Sequence, residues 1–220
     1  MAASEVLTVG ELAQRVPVAG VAGRRVLLGI AGPPGAGKST LAQRLCAALG
    51  ESAVVAPMDG YHLRNAVLRE RGALERKGEP DTFDVAGFVA DLRALRETPV
   101  GTAVAWPLFD RAIDEPTEGG VVVRDEQVVV IEGNYLLLTE DEAPGWSGVR
   151  ELLDACWYLD APREVITTRL VDRHVLGGRT PGAARSKVTD SDLRNADLVA
   201  RGRTRADRVL TAAGAGYLLG

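Results

Sequence analysis

The sequence predicts a three-layer α/β fold, a mainly parallel, doubly wound sheet with helices on both faces. Apolar runs of strand length alternate with segments of helical periodicity, the pattern of repeated strand–helix–strand units. Residues 127–131, Gln127 followed by four successive apolar residues, have the character of a central strand covered on both faces. Finally, Gly32-Pro33-Pro34-Gly35-Ala36-Gly37-Lys38-Ser39 matches the phosphate-binding loop G-x-x-x-x-G-K-[ST] at every specified position, so the expected architecture is a P-loop NTPase fold.

Each element has its own warrant. Helical periodicity over 7–16 ends at Pro17 and predicts a short leading helix, within an N-terminal helical extension of residues 1–24. The apolar run 25–31 reads as the first strand, and 39–49 as a helix closed by Gly50. A second buried strand over 52–58 delivers Asp59-Gly60-Tyr61-His62 to its carboxyl end, where ligands bind in such sheets. The charged stretch 61–77 reads as helical, 78–84 as an exposed polar loop, and Asp84 as the N-cap of an amphipathic helix running to Arg96. A strand over 102–107 leads into a loop at 108–111 and a polar turn containing Pro116, Gly119 and Gly120, after which 121–124 is expected to pair locally with the next strand. The strand 127–131 runs into Glu132-Gly133-Asn134-Tyr135, and a further strand over 155–160 leads to a helix starting near Pro162 and reaching His174. A helix in the middle of 186–210 and a final strand over 206–210 complete the chain.

Composition bounds the function. The 220 residues, 46% hydrophobic and without a low-complexity tract, suit one domain spanning 1–220 with a single sizeable core. A net charge of −4 provides no positive field for nucleic acid. No window approaches the roughly 18 uninterrupted apolar residues of a membrane span, and the N-terminus, with Glu5 and Glu11, does not read as a targeting segment, so a cytoplasmic protein without membrane partners is expected. Cys46 and Cys156 lack C-x-x-C spacing and read as buried free thiols. Oligomeric state is not written in the sequence, and a homodimer is the default.

The chemistry derives from the strand ends. The loop residues Gly32, Pro33, Pro34, Gly35, Ala36, Gly37, Lys38, Ser39 and Thr40 are expected to bind ATP: backbone amides cradle the phosphates, Lys38 reaches the β/γ oxygens and the Ser39 hydroxyl ligates Mg²⁺. Asp59 is placed to accept the proton of an attacking hydroxyl, or to cap the next helix. Glu132 closes its strand as a second Mg²⁺ group or as an exposed terminal acid. Arg169 and Arg173, four apart on one helical face before Gly177-Gly178, read as a lid over about 169–186 that stabilises transferred phosphate, or as a basic face favoured at a helix C-terminus. His62 and His174 lack metal-ligand spacing, and Asn195 reads equally as a nucleotide contact or a turn cap.

In order, GPPGAGKST, MDGYH, KGEPDTFD, PLFDR, VVVIEGNYLLL, YLDAPREV and RLVDRHVLGGRT resemble the phosphoribulokinase/uridine kinase family over about residues 25–210, with type I pantothenate kinases especially similar around MDGYH and IEGNY. The resemblance implies an ATP- and Mg²⁺-dependent kinase acting on a hydroxyl of a small metabolite, whether nucleoside, pantothenate-like or sugar. It implies Asp59 as base, Glu132 as the Mg²⁺-assisting acid, Arg169 and Arg173 on the phosphates, and Tyr61, His62, Asp110 and Arg111 beside the acceptor. It also places the adenine between the C-terminal segment and the phosphate-loop helix. The alternative is a nucleotide-dependent regulatory ATPase that drives a partner; no N-K-x-D guanine signature is present.

Overall fold

Six consecutive residues, Val26–Ala31, form strand β2, and every one is buried. The computed structural model describes residues 5–19, 21 and 23–220. In it β2 lies inside a seven-stranded sheet with β1 (Val6–Leu7), β3 (Ala53–Pro57), β6 (Val128–Gly133), β7 (Ala155–Asp160), β8 (Arg208–Ala213) and β9 (Gly216–Leu219), in the order β1-β9-β8-β7-β2-β6-β3. The pairings from β3 through β8 are parallel, and β9 is antiparallel to both β8 and β1. The expected α/β architecture is therefore present, as a mostly parallel mixed sheet.

The period-two alternation of a strand splits the core between two faces. Leu27, Ala31, Val129, Ile131 and Tyr158 face a cluster with Phe88, Leu92 and Leu95 of α4 (Val85–Glu97), Val149 of α5 (Ser147–Leu152) and the rings of Trp106, Tyr135 and Trp146. Leu28, Ile30, Val130, Trp157 and Leu159 pack on the opposite face against Leu12 of α1 (Val9–Ala13) and Leu41, Ala42 and Leu45 of α2 (Lys38–Leu49). Each fully buried Leu or Ile contributes roughly 1.5–3 kcal/mol, so the two faces together fix the sheet's position between its helices. Asp84 caps α4 as expected, accepting from the Gly87 amide at 3.0 Å.

Several expectations are corrected. The leading helix is shorter than 7–16: Val6–Leu7 pairs with β9, because Leu7 is buried there, and only Val9–Ala13 is helical. Residues 1–4, 20 and 22 of the expected N-terminal extension lie outside the described residues. Of the loop expected at 108–111, residues 108–110 are strand: β4 (Val104–Asp110) and β5 (Glu115–Val123) form an antiparallel hairpin, and 121–123 pairs back with β4 rather than forward. Pro107 sits at the register shift between Trp106 and Leu108, where its missing N–H costs the ladder nothing. The stretch 61–77 is helical only over α3 (Asn65–Glu70) and a short turn Leu74–Arg76. The loop 78–84 is not simply exposed, since Thr82 and Phe83 are buried. After α6 (Arg163–Leu176) come α7 (Pro181–Lys187), a π-helical turn Val188–Asp192 and α8 (Leu193–Ala200). The last strand continues past 210 and is succeeded by β9.

Cys46 is half-buried and Cys156 buried, both free, with thiols pushed up by burial to about 11 and about 12. Among the described residues no helix is long and apolar enough to cross a membrane.

Candidate active site

Register brings the chemistry to one end of the sheet. Ala31, the last residue of β2, lies opposite Gly133 of β6 and Tyr158 of β7, and Pro57 of β3 lies opposite Glu132. The phosphate loop, Asp59 and Glu132 therefore leave their strands at the same level, at the carboxyl edge where doubly wound sheets bind ligands. The loop ends at Gly37, the N-cap of α2, with φ 103°, a left-handed conformation that disfavours a side chain. No side chain caps this helix, so its first amides face the loop's concavity.

Lys38 is buried at the start of α2, and its ammonium donates to the Pro33 carbonyl (3.1 Å) and to Asn134 Oδ1 (2.6 Å). Burial lowers its pKa, and the negative charges of Glu132 and Asp59 oppose that shift. Ser39 Oγ donates to Glu132 Oε1 at 2.9 Å. Glu132 is 8% exposed, and its pKa is raised first by burial and then by the charge of Asp59, against the pull of Lys38 and Ser39. A buried carboxylate held beside a hydroxyl and a second carboxylate is short of positive charge, which is what a divalent cation supplies. A Mg²⁺ in a nucleotide site takes one or two protein oxygens and fills its other positions with phosphate and water, and the Ser39 hydroxyl and Glu132 carboxylate offer such oxygens side by side. Uncapped amides, buried ammonium and Ser39–Glu132 pair together fit ATP with Mg²⁺.

Asp59 lies in a 3₁₀ turn, Met58–Tyr61, directly after β3. A Cβ built on Gly60 would lie 2.1 Å from the Pro107 carbonyl oxygen, so only glycine lets the hairpin pass this close. That approach brings Arg111 to Asp59, with Nη2 3.3 Å from Oδ2. His62 Nδ1 donates to the Asp59 carbonyl at 2.7 Å, and burial lowers the imidazole's pKa. Its ring lies between Phe83 (4.1 Å between centroids) and Phe109 (4.7 Å).

The remaining site residues divide. Arg169 Nη1 donates to the Gly35 and Ala36 carbonyls (3.0 and 3.2 Å), tying α6 to the phosphate loop. Arg173, one turn on, is exposed, and its positive charge helps lower the Lys38 pKa. Thr40 is exposed on the first turn of α2. Asp110 Oδ1 accepts from the Ala112 amide at 2.8 Å and so shapes the hairpin turn. Tyr61 corrects the expectation that it stands beside the acceptor: its ring is 5% exposed, meets Phe88 and Trp106 edge-on at 5.0 Å, and its hydroxyl donates to Asp91 at 2.6 Å. His174 is committed to Asp192 at 2.7 Å, joining α6 to the π-helical turn.

Two residues without an assigned role belong to this picture. Asn134 holds the Lys38 ammonium, and its signal was in plain view as the polar residue two places after Glu132. Lys77 donates to Asn65 Oδ1 (2.7 Å) and to the carbonyl and carboxylate of Asp114 in the hairpin turn, a pairing no local pattern announces.

Comparison with known proteins places this geometry. The family model described as phosphoribulokinase / uridine kinase family matches residues 27–197. An "ATP-dependent kinase-like protein" of Aspergillus versicolor is 36% identical over 155 residues, covering 66% of this chain and 88% of the relative. A "putative uridine kinase" of Schizosaccharomyces pombe is 32% identical over 199 residues, covering 85% and 83%. The crystal structure of a "putative fructose transport system kinase" from Silicibacter sp. TM1040 superposes with a TM-score of 0.84 at 39% identity, over 94% of this chain and 100% of that one.

Proposed function

Since the chain belongs to the phosphoribulokinase/uridine kinase family of ATP-dependent P-loop kinases, we propose that it transfers the γ-phosphoryl group of ATP to a hydroxyl of a small metabolite, with Asp59 as the base. The observation that carries this reading is that the turn bearing Asp59 follows β3 where Pro57 lies opposite Glu132, and Glu132 in turn accepts from Ser39 beside Lys38 at the start of α2. The acceptor oxygen forms a bond to the γ-phosphorus as the bond to the β,γ-bridging oxygen breaks. The acceptor's proton passes to Asp59, and ADP leaves with the electron pair.

The chain's own groups divide the work. The amides of the loop and of the first turn of α2 hold phosphate oxygens, and Lys38, kept in place by Asn134, opposes the charge that develops on them. Ser39 and Glu132 would hold Mg²⁺, which would neutralise charge on the phosphates when bound. Arg169 ties α6 to the loop, and Arg173 extends from the same helix as the cation of a lid over about 169–186. Arg111 orients the Asp59 carboxylate, and His62 fixes the turn that carries it. We read residues 1–220 as one kinase domain of the cytoplasm, acting on small molecules.

The test is acceptor-dependent ADP release by the purified protein with ATP and Mg²⁺, confirmed by an acceptor that gains one phosphoryl group. On the accepted compound, Asp59→Asn is expected to lower kcat at least about 100-fold, the scale of general-base catalysis, with ATP affinity unchanged within about twofold. Unchanged turnover in this variant would remove Asp59 from the role. ADP release indifferent to every acceptor would instead favour a regulatory ATPase.

A further inference from the structure

β6 stands between β2 and β3 in the sheet, so the residue that leaves its carboxyl end enters the gap between the phosphate loop, after β2, and Asp59, after β3. The strand ends close against the turn that carries Asp59. A Cβ built on Gly133, its last residue, would lie 2.6 Å from the Cβ of Met58. Asn134 is the next residue. In the proposed transfer, the γ-phosphoryl group passes from nucleotide to acceptor across this gap.

The orientation of the Asn134 carboxamide follows from its partner. An ammonium only donates, so the atom that meets Lys38 Nζ at 2.6 Å is the oxygen, and the NH₂ group points away from it. Lys38 gives a second proton to the Pro33 carbonyl, which leaves one for a phosphate oxygen. The Asn134 NH₂ group has two protons and, among the described residues, no acceptor for either. The residue is half-buried, and these protons open to solvent. The other two asparagines of the chain differ. Asn65 Nδ2 donates to the Asp114 carbonyl at 3.0 Å, and Asn195 Nδ2 faces the Gly78 carbonyl at 3.5 Å. A carboxamide held at its oxygen by the phosphate-loop lysine, with free donors at the gap the phosphoryl group crosses, is preorganised for negatively charged oxygen.

We infer that Asn134 is a further catalytic residue of the transfer: its NH₂ group donates to an oxygen of the γ-phosphoryl group while its Oδ1 keeps hold of Lys38. This rests on the kinase reading of the same site. The experiment compares the full-length protein with Asn134→Ala and with Asn134→Leu, which keeps more of the volume and adds no charge. Calorimetry in Mg²⁺ measures affinity for ADP and for the non-transferable analogue β,γ-imido-ATP, and turnover is measured on the accepted compound. In each variant the affinity for the analogue relative to ADP is expected to fall at least about tenfold, the scale of one hydrogen bond to a charged group. The kcat is expected to fall by at least about the same factor, with the acceptor KM within about threefold. Lys38 also serves the β-phosphate, so loss of its tether alone would weaken ADP and the analogue together; a parallel loss would overturn the inference, as would an unchanged kcat. Asn134→Asp restores an oxygen to Lys38 without the donors, and recovery of kcat in it would equally overturn the inference. If one of the uncharged variants fails to fold, as read by thermal melts, the other decides. ADP release independent of every acceptor would remove the kinase reading, while the affinity ratio would still decide the γ-phosphoryl contact.

Discussion

Glu132 shows at the scale of one residue how function is set against stability. Its carboxylate is buried beside Asp59, so the folded protein holds the Glu132 proton more tightly than the unfolded chain does. As pH rises from the ordinary carboxylate range through the raised folded value, the unfolded chain ionises first, and this group's contribution to stability falls. Glu132→Gln keeps an acceptor for Ser39 and removes the buried charge. It is therefore expected to stabilise the ligand-free protein at neutral pH by about 1 kcal/mol, or about 2–4 °C in Tm, and to flatten the decline of stability above the carboxylate range. Kinase activity should drop sharply in the same variant. Thermal melts across pH check this, and an unchanged or lower Tm at neutral pH would mean that Lys38 compensates the carboxylate fully in the fold. Tyr61 carries the opposite lesson: its position two after Asp59 was legible, but whether a tyrosine there faces ligand or core depends on Asp91, Phe88 and Trp106.

At the scale of the element, the β4–β5 hairpin decides the geometry of the acceptor side, and it was the element least visible in sequence. Pro107, Pro116, Gly119 and Gly120 punctuate it as turn residues would, and a two-stranded ribbon has little stability of its own. It is held by Val104, Trp106 and Val123 in the core and by docking at its tip. Glu115 accepts from the Asn65 amide at 3.1 Å, Asn65 donates to the Asp114 carbonyl at 3.0 Å, and Lys77, with a side chain 12% exposed, joins Asp114 to Asn65. Asp114 reaches these partners with φ 55°, in the left-handed region that Asp tolerates better than most residues. Lys77→Met is expected to raise hydrogen exchange of the amides around the hairpin turn at least about tenfold, equivalent to about 1.4 kcal/mol of local stability, and to leave α2 protected as before. Unchanged exchange would assign the docking to Glu115 and Asn65 alone.

For the whole molecule, the parallel sheet is closed at one edge by a strand from each end of the chain. β1 pairs with β9, Leu7 is 1% exposed and Tyr217 5% exposed, and both pack with the α1–α2 face of the core. Two residues of strand are too short a signal to separate from the start of a helix, which is why periodicity extended the leading helix across Leu7. Tyr217→Ala is expected to cost about 3 kcal/mol in global stability by opening this packing, read as a lower urea midpoint with unchanged m-value. The folded fraction should retain ATP affinity, because the phosphate loop stands on β2. An unchanged midpoint would mean that the closing strands fray independently of the core.

Short-range information by itself determined the phosphate loop, the alternation of strands and helices, and the delivery of Asp59 and Glu132 to strand ends. Each depends on residues a few positions apart: glycines that turn amides inward, apolar runs long enough to be covered twice, acids placed where an apolar run stops. Only the tertiary structure decided which charges meet. Arg111 reaches Asp59, Asn134 reaches Lys38, Arg169 reaches the loop carbonyls and Lys77 reaches Asp114 across separations of 52, 96, 134 and 37 residues. Such pairs leave no periodic trace, since packing of whole elements brings them together and each side chain then takes the nearest partner of opposite character.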